Sequence, residues 1–225
     1  MINTPIFQFR CRSKSCVLIL TLLFWRPILS AQTNQKAEDV IDATIRYYQG
    51  FDDISANFTY RDQLKNSDVI NHQMMGTIFM KDSLFVVSMD GLEMRSDGLD
   101  IYTITSENRE VYRSSIRDSE QLPFHLLNLL SYLQTHFEAR VDLDENDFND
   151  QTHYITLTPH HQTESIDAIF LMIDRKTSEL LTLRMAYSDH TISSISFDNH
   201  IYNRGLATDF FVFNPDDYPD YTIIE

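Results

Sequence analysis

The chain has 225 residues, with 33 acidic against 18 basic side chains, a formal charge of −15 and 43% apolar residues. Nucleic acid and anionic lipid surfaces are poor partners for so negative a chain, because like charge repels it. Both cysteines, Cys11 and Cys16, lie close to the N-terminus, so the remainder offers no thiol nucleophile, disulfide or Cys-ligated metal.

Arg10, Arg12 and Lys14 precede an uninterrupted apolar run over 16–25, which Arg26 and Pro27 close; Ser30 and Ala31 follow as small residues. This pattern predicts a secretory signal peptide over 1–31, too short to remain as a membrane span. A single domain is expected over 32–225, since about 194 residues suffice for one substantial core. The leader carries four basic and no acidic residues, which leaves 14 basic against 33 acidic beyond it. That excess reads as solubility or as an acidic face for a basic partner.

A first helix is predicted over 36–48: Val40, Ile41, Thr44, Ile45 and Tyr48 recur at helical spacing, and Gly50 stops it. Ile54, Ala56, Phe58 and Tyr60 alternate with polar residues, as in a half-buried strand. Strands follow at 69–80, 83–89, 92–96, 99–105 and 109–114, with Asp90-Gly91 and Asp97-Gly98 as turns. A strongly apolar helix is predicted over 122–137. Its apolar residues surround more than the ~100° stripe that docks a surface helix, so it lies in a deep core or covers an apolar surface. Further strands are predicted at 137–143, 152–158, 166–174, 179–187, 191–202 and 209–213. The fold class is mainly β with helices (α+β), a curved antiparallel sheet of about ten or eleven strands. The strand at 166–174 is apolar on both faces: Ile166, Ala168, Phe170 and Met172 on one, Ile169, Leu171 and Ile173 on the other. Such a strand is either central and covered twice, or lines a concave ligand face.

Signals for chemistry are weak. The acidic run Asp142, Asp144, Asn146, Asp147 and Asp150 lacks the glycine of a calcium loop and has His153 where a bidentate Glu belongs. His160 and His161 are adjacent in an extended segment and point to opposite sides. His125 has no acid or nucleophile pattern around it, and no pair of carboxylates stands out for glycoside hydrolysis. No catalytic residue, metal ligand or cofactor is expected.

An ordered set of motifs remains. Gly76, Ile78, Met80, Lys81 and Phe85 come first, then Ser96, Asp97 and Gly98 with Ile101, Tyr102 and Val111. Leu122, Pro123 and Phe124 with the leucines behind them follow, then Tyr154, Leu157 and Pro159, the segment 166–183, and finally Phe211, Phe213 and Pro215. In this order and spacing, over about 37–225, the chain resembles the LolA family of periplasmic lipoprotein carriers.

The resemblance implies an unclosed β-barrel with an apolar interior covered by a helical lid. It implies a periplasmic chaperone that binds the acyl chains of lipoproteins and shuttles them from the inner to the outer membrane. The partners so implied are the acylated lipoproteins, an inner-membrane lipoprotein-releasing ABC transporter and an outer-membrane acceptor. The protein is expected to be a monomer. The alternative within the same fold is an acyl-sensing or lipid-linked assembly factor without carrier activity. Carried onto this chain, the motifs imply a cavity lined by Phe58, Phe79, Phe85, Tyr102, Phe170 and Met172. They imply a lid bearing Leu126, Leu127, Leu130 and Leu133. Lys81 stands where the family carries a lid-holding arginine, and Asp82 where it carries proline; the family's tryptophan falls near Val87. Lysine lacks the forked donors of arginine, so the latch of this lid is expected to differ.

Overall fold

The computed structural model describes residues 26–65, 67, 69–116, 125–142, 151–161 and 165–225, with side chains from residue 34 onward. The predicted leader's residues 10–25, Leu122 to Phe124 and the acidic run beyond Asp142 lie outside the described residues.

Helix α1 (Arg26–Gln49) starts ten residues before the predicted 36. Its buried stripe is Ala37, Ile41, Thr44 and Tyr48, a spacing of four, three and four residues that keeps one face inward. Strands β1 (Ile54–Leu64), β2 (Ile70–Lys81), β3 (Leu84–Met89), β4 (Leu92–Ser96), β5 (Asp100–Thr105) and β6 (Glu110–Ser115) follow as successive hairpins. The turn glycines Gly91 and Gly98 take φ values of 73° and 90°, which L side chains resist. Asp82, in the β2–β3 turn, has φ 50°. A proline ring fixes φ near −65°, so this turn could not be built with the family's residue.

The apolar segment predicted over 122–137 resolves into two elements. Helix α2 (Leu126–His136) is followed directly by β7 (Phe137–Val141). The described helix is amphipathic: Leu126, Leu130 and Leu133 are buried, whereas Asn128, Ser131 and Thr135 are exposed. Phe137 belongs to the strand, which removes it from the helical apolar surface. Strands β8 (Thr152–Pro159), β9 (Ile166–Asp174), β10 (Leu180–Tyr187) and β11 (Thr191–Tyr202) continue the sheet, and β12 (Thr222–Ile224) ends it.

The twelve strands form one sheet in the order β12-β6-β5-β4-β3-β2-β1-β11-β10-β9-β8-β7. Every pairing is antiparallel except β12 with β6. The end strands β12 and β7 do not pair with each other, so the barrel is unclosed, as the resemblance implies. α1 packs on β7 and α2, and Gln134 Nε2 donates to Asp42 Oδ1 at 2.7 Å across the two helices.

The expected strand at 209–213 is instead a 3-10 turn, Thr208–Phe211, within a strap over 203–221 that crosses the sheet's outer face. Alternation survives there, with Phe211 and Phe213 buried and Phe210 and Val212 exposed. Side chains rather than a ladder hold the backbone: Arg95 Nη1 donates to the Phe210 and Val212 carbonyls at 3.2 and 3.1 Å. Two apolar cores result. The large one lies on the inner face beneath the helices, and a small one of Ile104, Val111 and Phe213 lies under the strap.

Candidate functional site: an apolar cavity under the helices

Pairing decides what each strand sends inward. On β1, Ile54, Ala56, Phe58 and Tyr60 share one face, and their β2 partners are Met80, Ile78, Gly76 and Met74. A Cβ at Gly76 would lie 2.6 Å from the Phe58 ring and 2.4 Å from the Ser88 carbonyl, so only glycine lets that ring lie across β2. On β3 and β4 the same face carries Val87, Met89 and Met94. From the other side of β1, Phe197 stands opposite Phe58 and Ile195 opposite Tyr60, and Leu183 stands opposite Ile195.

These side chains enclose a cavity of about 340 Å3, covered by Tyr48 of α1 and by Leu126 and Leu129 of α2. The volume is roughly twice the ~150 Å3 of an apolar cavity that holds one benzene ring. Its lining is almost wholly apolar. Five of the eight methionines in the chain, Met74, Met80, Met89, Met94 and Met185, line it. Methionine is unbranched and polarisable, so such a wall adapts to occupants of varied shape.

Polar groups gather at one end. Glu179 Oε1 accepts hydrogen bonds from the Tyr202 hydroxyl at 2.6 Å and the Tyr47 hydroxyl at 2.9 Å. The buried Tyr48 hydroxyl accepts from the Leu180 N–H at 3.0 Å. Burial foremost raises the pKa of Tyr48 and of Tyr202, with Glu179 adding to both; these hydroxyls stay protonated as donors. His200 lines the cavity, its ring stacked with Tyr202. Burial lowers its pKa, against the opposing charges of Glu179 and Asp198.

The residues expected at the site separate onto two faces. Phe58 lines the cavity. Phe85 is on the same face, opposite Met80, and is buried in the core beside it. Phe79, Tyr102, Phe170 and Met172 are on the outer face. Phe79 pairs with Ser55 and meets the Phe210 ring at 5.2 Å, with the Arg204 guanidinium 5.9 Å from its centroid. Tyr102 stacks on Phe213 at 4.5 Å. Phe170 and Met172 pair with Arg184 and Thr182, so that Ile169, Leu171 and Ile173 point inward instead. The physical reason is period two: a one-residue offset exchanges the faces of a strand. The methionine wall was missed, although Met74 and Met80 in β2, and Met89 and Met94 in β3 and β4, share the parity of Phe58.

In α2, Leu126 and Leu129 contact the cavity, Leu130 and Leu133 are fully buried in the core, and Leu127 faces a neighbouring polar pocket. Lys81 does not bond the helix. Its ammonium donates to the Leu206 carbonyl at 2.5 Å, holding the strap. Asp53 holds the same strap, accepting the N–H groups of Arg204, Gly205 and Leu206 at 2.8, 2.8 and 3.0 Å. Burial pushes the Asp53 pKa up, but these three donors and the Lys81 charge outweigh it and leave it below the ordinary carboxylate value. His125 is buried at the start of α2. Among the described residues, no group of three His, Cys, Asp or Glu side chains is placed to hold a metal ion, and no helix is long and apolar enough to cross a membrane.

No protein-family model and no curated protein sequence matches the chain. Solved structures do. An uncharacterised conserved protein from Thermus thermophilus is similar with a TM-score of 0.58 at 8% identity, over 84% of this chain and 98% of that one. A putative outer membrane lipoprotein-sorting protein domain from Vibrio parahaemolyticus has a TM-score of 0.48 at 12% identity, over 79% and 97% of the two chains. A LolA superfamily protein from Nitrosomonas europaea has a TM-score of 0.43 at 10% identity, over 79% and 97%. The chain thus shares its fold with the Thermus protein, and its unclosed sheet around a helix-covered apolar cavity is the architecture that its sequence resemblance to the LolA family implies.

Proposed function

We propose that this protein is an exported lipoprotein carrier: residues 1–31 are a removed leader, and 32–225 form one LolA-like domain that works in the periplasm. It takes the acyl chains of a lipoprotein into the cavity, receives its cargo from an inner-membrane transporter and gives it up to an outer-membrane acceptor. The observation that carries this reading is the methionine-lined apolar cavity of about 340 Å3 under α1 and α2. Acyl burial is worth about 0.8 kcal/mol per methylene, so one chain of about 16 carbons gains on the order of 12 kcal/mol from such a lining. A chain of that kind cannot cross water exposed, and its carrier needs a dry cavity and a movable cover rather than covalent chemistry. The ordered motifs support the same reading. Phe58 together with the five methionines forms the acyl contact surface, and Leu126 and Leu129 are its cover.

The test incubates the protein with inner-membrane vesicles holding a labelled lipoprotein, then adds outer-membrane vesicles. A soluble complex that passes its label onward is expected, whereas failure to extract any acylated protein overturns the reading. Extraction without transfer leaves an acyl-binding sensor. Met94→Trp, which places an indole inside the cavity, is expected to lower extraction at least about tenfold while circular dichroism stays unchanged.

A further inference from the structure

A second pocket, of about 150 Å3, shares the walls Tyr48, Ile54, Met80 and Leu126 with the apolar cavity. It forms where the end of α1, the 50–53 connection, the β2–β3 turn and the start of α2 meet. Its character is opposite to that of the cavity, because Asp52, Asp53, Lys81, Asp82 and His125 line it.

Two of these groups are already engaged. The Asp53 carboxylate takes three backbone N–H groups of the strap, and the Lys81 ammonium donates to the Leu206 carbonyl. His125 differs. It is only 5% exposed, and its ring is hydrogen-bonded to the Asp82 backbone carbonyl. Its Nδ1 meets no partner among the described residues, so the bond to Asp82 comes from Nε2–H. A neutral imidazole that donates through one nitrogen presents the other as an acceptor. The pocket therefore offers a buried acceptor next to a greasy channel. Its lining holds three carboxylates and one ammonium, which disfavours a phosphate or carboxylate head. The volume has room for a head of about six heavy atoms, the size of the ring held in an apolar cavity of similar volume.

We propose that this pocket is the head-group subsite of the apolar cavity, taking an uncharged head whose hydroxyl or amide N–H donates to His125 Nδ1 while the acyl chain lies among the methionines. The inference rests on the acyl-binding reading of the cavity. It adds the chemistry of the head: donor-bearing and not anionic.

Four ligands with one common chain test it by displacing a fluorescent acyl probe from the full chain: monooleoylglycerol, oleamide, methyl oleate and oleyl phosphate. Monooleoylglycerol or oleamide is expected to bind about tenfold more tightly than methyl oleate, the scale of one buried hydrogen bond. A preference for the glycerol ester identifies a glyceryl head, and one for the amide identifies an acylated peptide; both support the subsite. His125→Phe is expected to abolish the preference while leaving methyl oleate binding unchanged. His125→Asn, which keeps a side-chain acceptor near the Nδ1 position, is expected to retain most of it. Equal binding of donor-bearing and donor-free ligands, tighter binding of oleyl phosphate, or an unchanged preference in His125→Phe overturns the proposal. If His125→Phe loses its sheet by circular dichroism, the ligand comparison on the unaltered chain decides alone. Failure of all four ligands to bind sinks the acyl reading and the subsite together, whereas tight but undiscriminating binding sinks the subsite only.

Discussion

Single side chains fix the joints of this molecule. Asp53 is 1% exposed and joins the connection after α1 to three consecutive N–H groups of the strap. Asp53→Ala would strand those donors, and a loss of about 2–4 kcal/mol in urea unfolding is expected. A loss under about 1 kcal/mol would show that water replaces the carboxylate. The histidines give a second residue-scale expectation. Burial is the first influence on His125, His153 and His200 and lowers the pKa of each. Asp82 opposes it at His125, and Arg175 and Lys36 reinforce it at His153. An unfolded imidazole titrates near about pH 6.5. Between that value and the lowered folded values the unfolded chain binds more protons, so stability is full above about pH 6.5 and falls as the pH drops below it. The melting temperature is expected to decrease between about pH 6.5 and 5, with a shallower slope in His125→Asn. A flat profile over that range would mean that these rings are solvated.

At the scale of elements, α2 is both wall and cover. Leu130 and Leu133 are fully buried in the main core, whereas Leu126 and Leu129, on the neighbouring part of the helix, border the cavity. Truncation should separate the two duties. Leu130→Ala removes packing from a filled core and is expected to cost about 2–5 kcal/mol. Leu129→Ala enlarges a space that already exists, so its cost is expected to stay below about 1.5 kcal/mol while acyl-probe affinity changes. Paired urea titrations with probe binding check both, and equal costs would make the whole helix core. Helix α1 contributes differently. Its stripe from Ala37 to Tyr48 anchors against β7 and α2, and its last turn delivers Tyr48 to the cavity and to the Leu180 N–H.

At the scale of the whole molecule, the sheet has two covered faces. The helices cover the inner face, and the strap over 203–221 covers part of the outer one, where Phe213 lies between the Tyr102 and Tyr218 rings at 4.5 and 5.4 Å. Phe213→Ala is expected to cost about 3–5 kcal/mol, measured by urea unfolding, because it uncovers the small core of Ile104 and Val111. Acyl-probe affinity is expected to stay unchanged, since the cavity is on the other face. A drop in affinity at constant stability would show that the two faces are coupled.

How much of this was legible in the sequence depends on the kind of physical signal. Alternation is local, so the strands from β1 to β11 could be placed from it, and Asp90-Gly91 and Asp97-Gly98 marked their turns. The unclosed, helix-covered sheet was legible through the order of motifs. Facing was not. Alternation gives the parity of a strand but not which parity points inward, and β2 and β9 carry apolar residues on both. Phe79, Phe170 and Met172 were thus assigned to the cavity, and only their pairing with Ser55, Arg184 and Thr182 sends them outward. Tyr102 followed the same logic, because the strap that stacks on it lies more than a hundred residues further along the chain. Lys81 bonds that strap and not the lid for the same reason. The sequence by itself therefore determined which elements form and in what order. Tertiary structure alone decided which face is inner, where five methionines converge and what His125 confronts, because each depends on cross-strand register and long-range closure that no local pattern encodes.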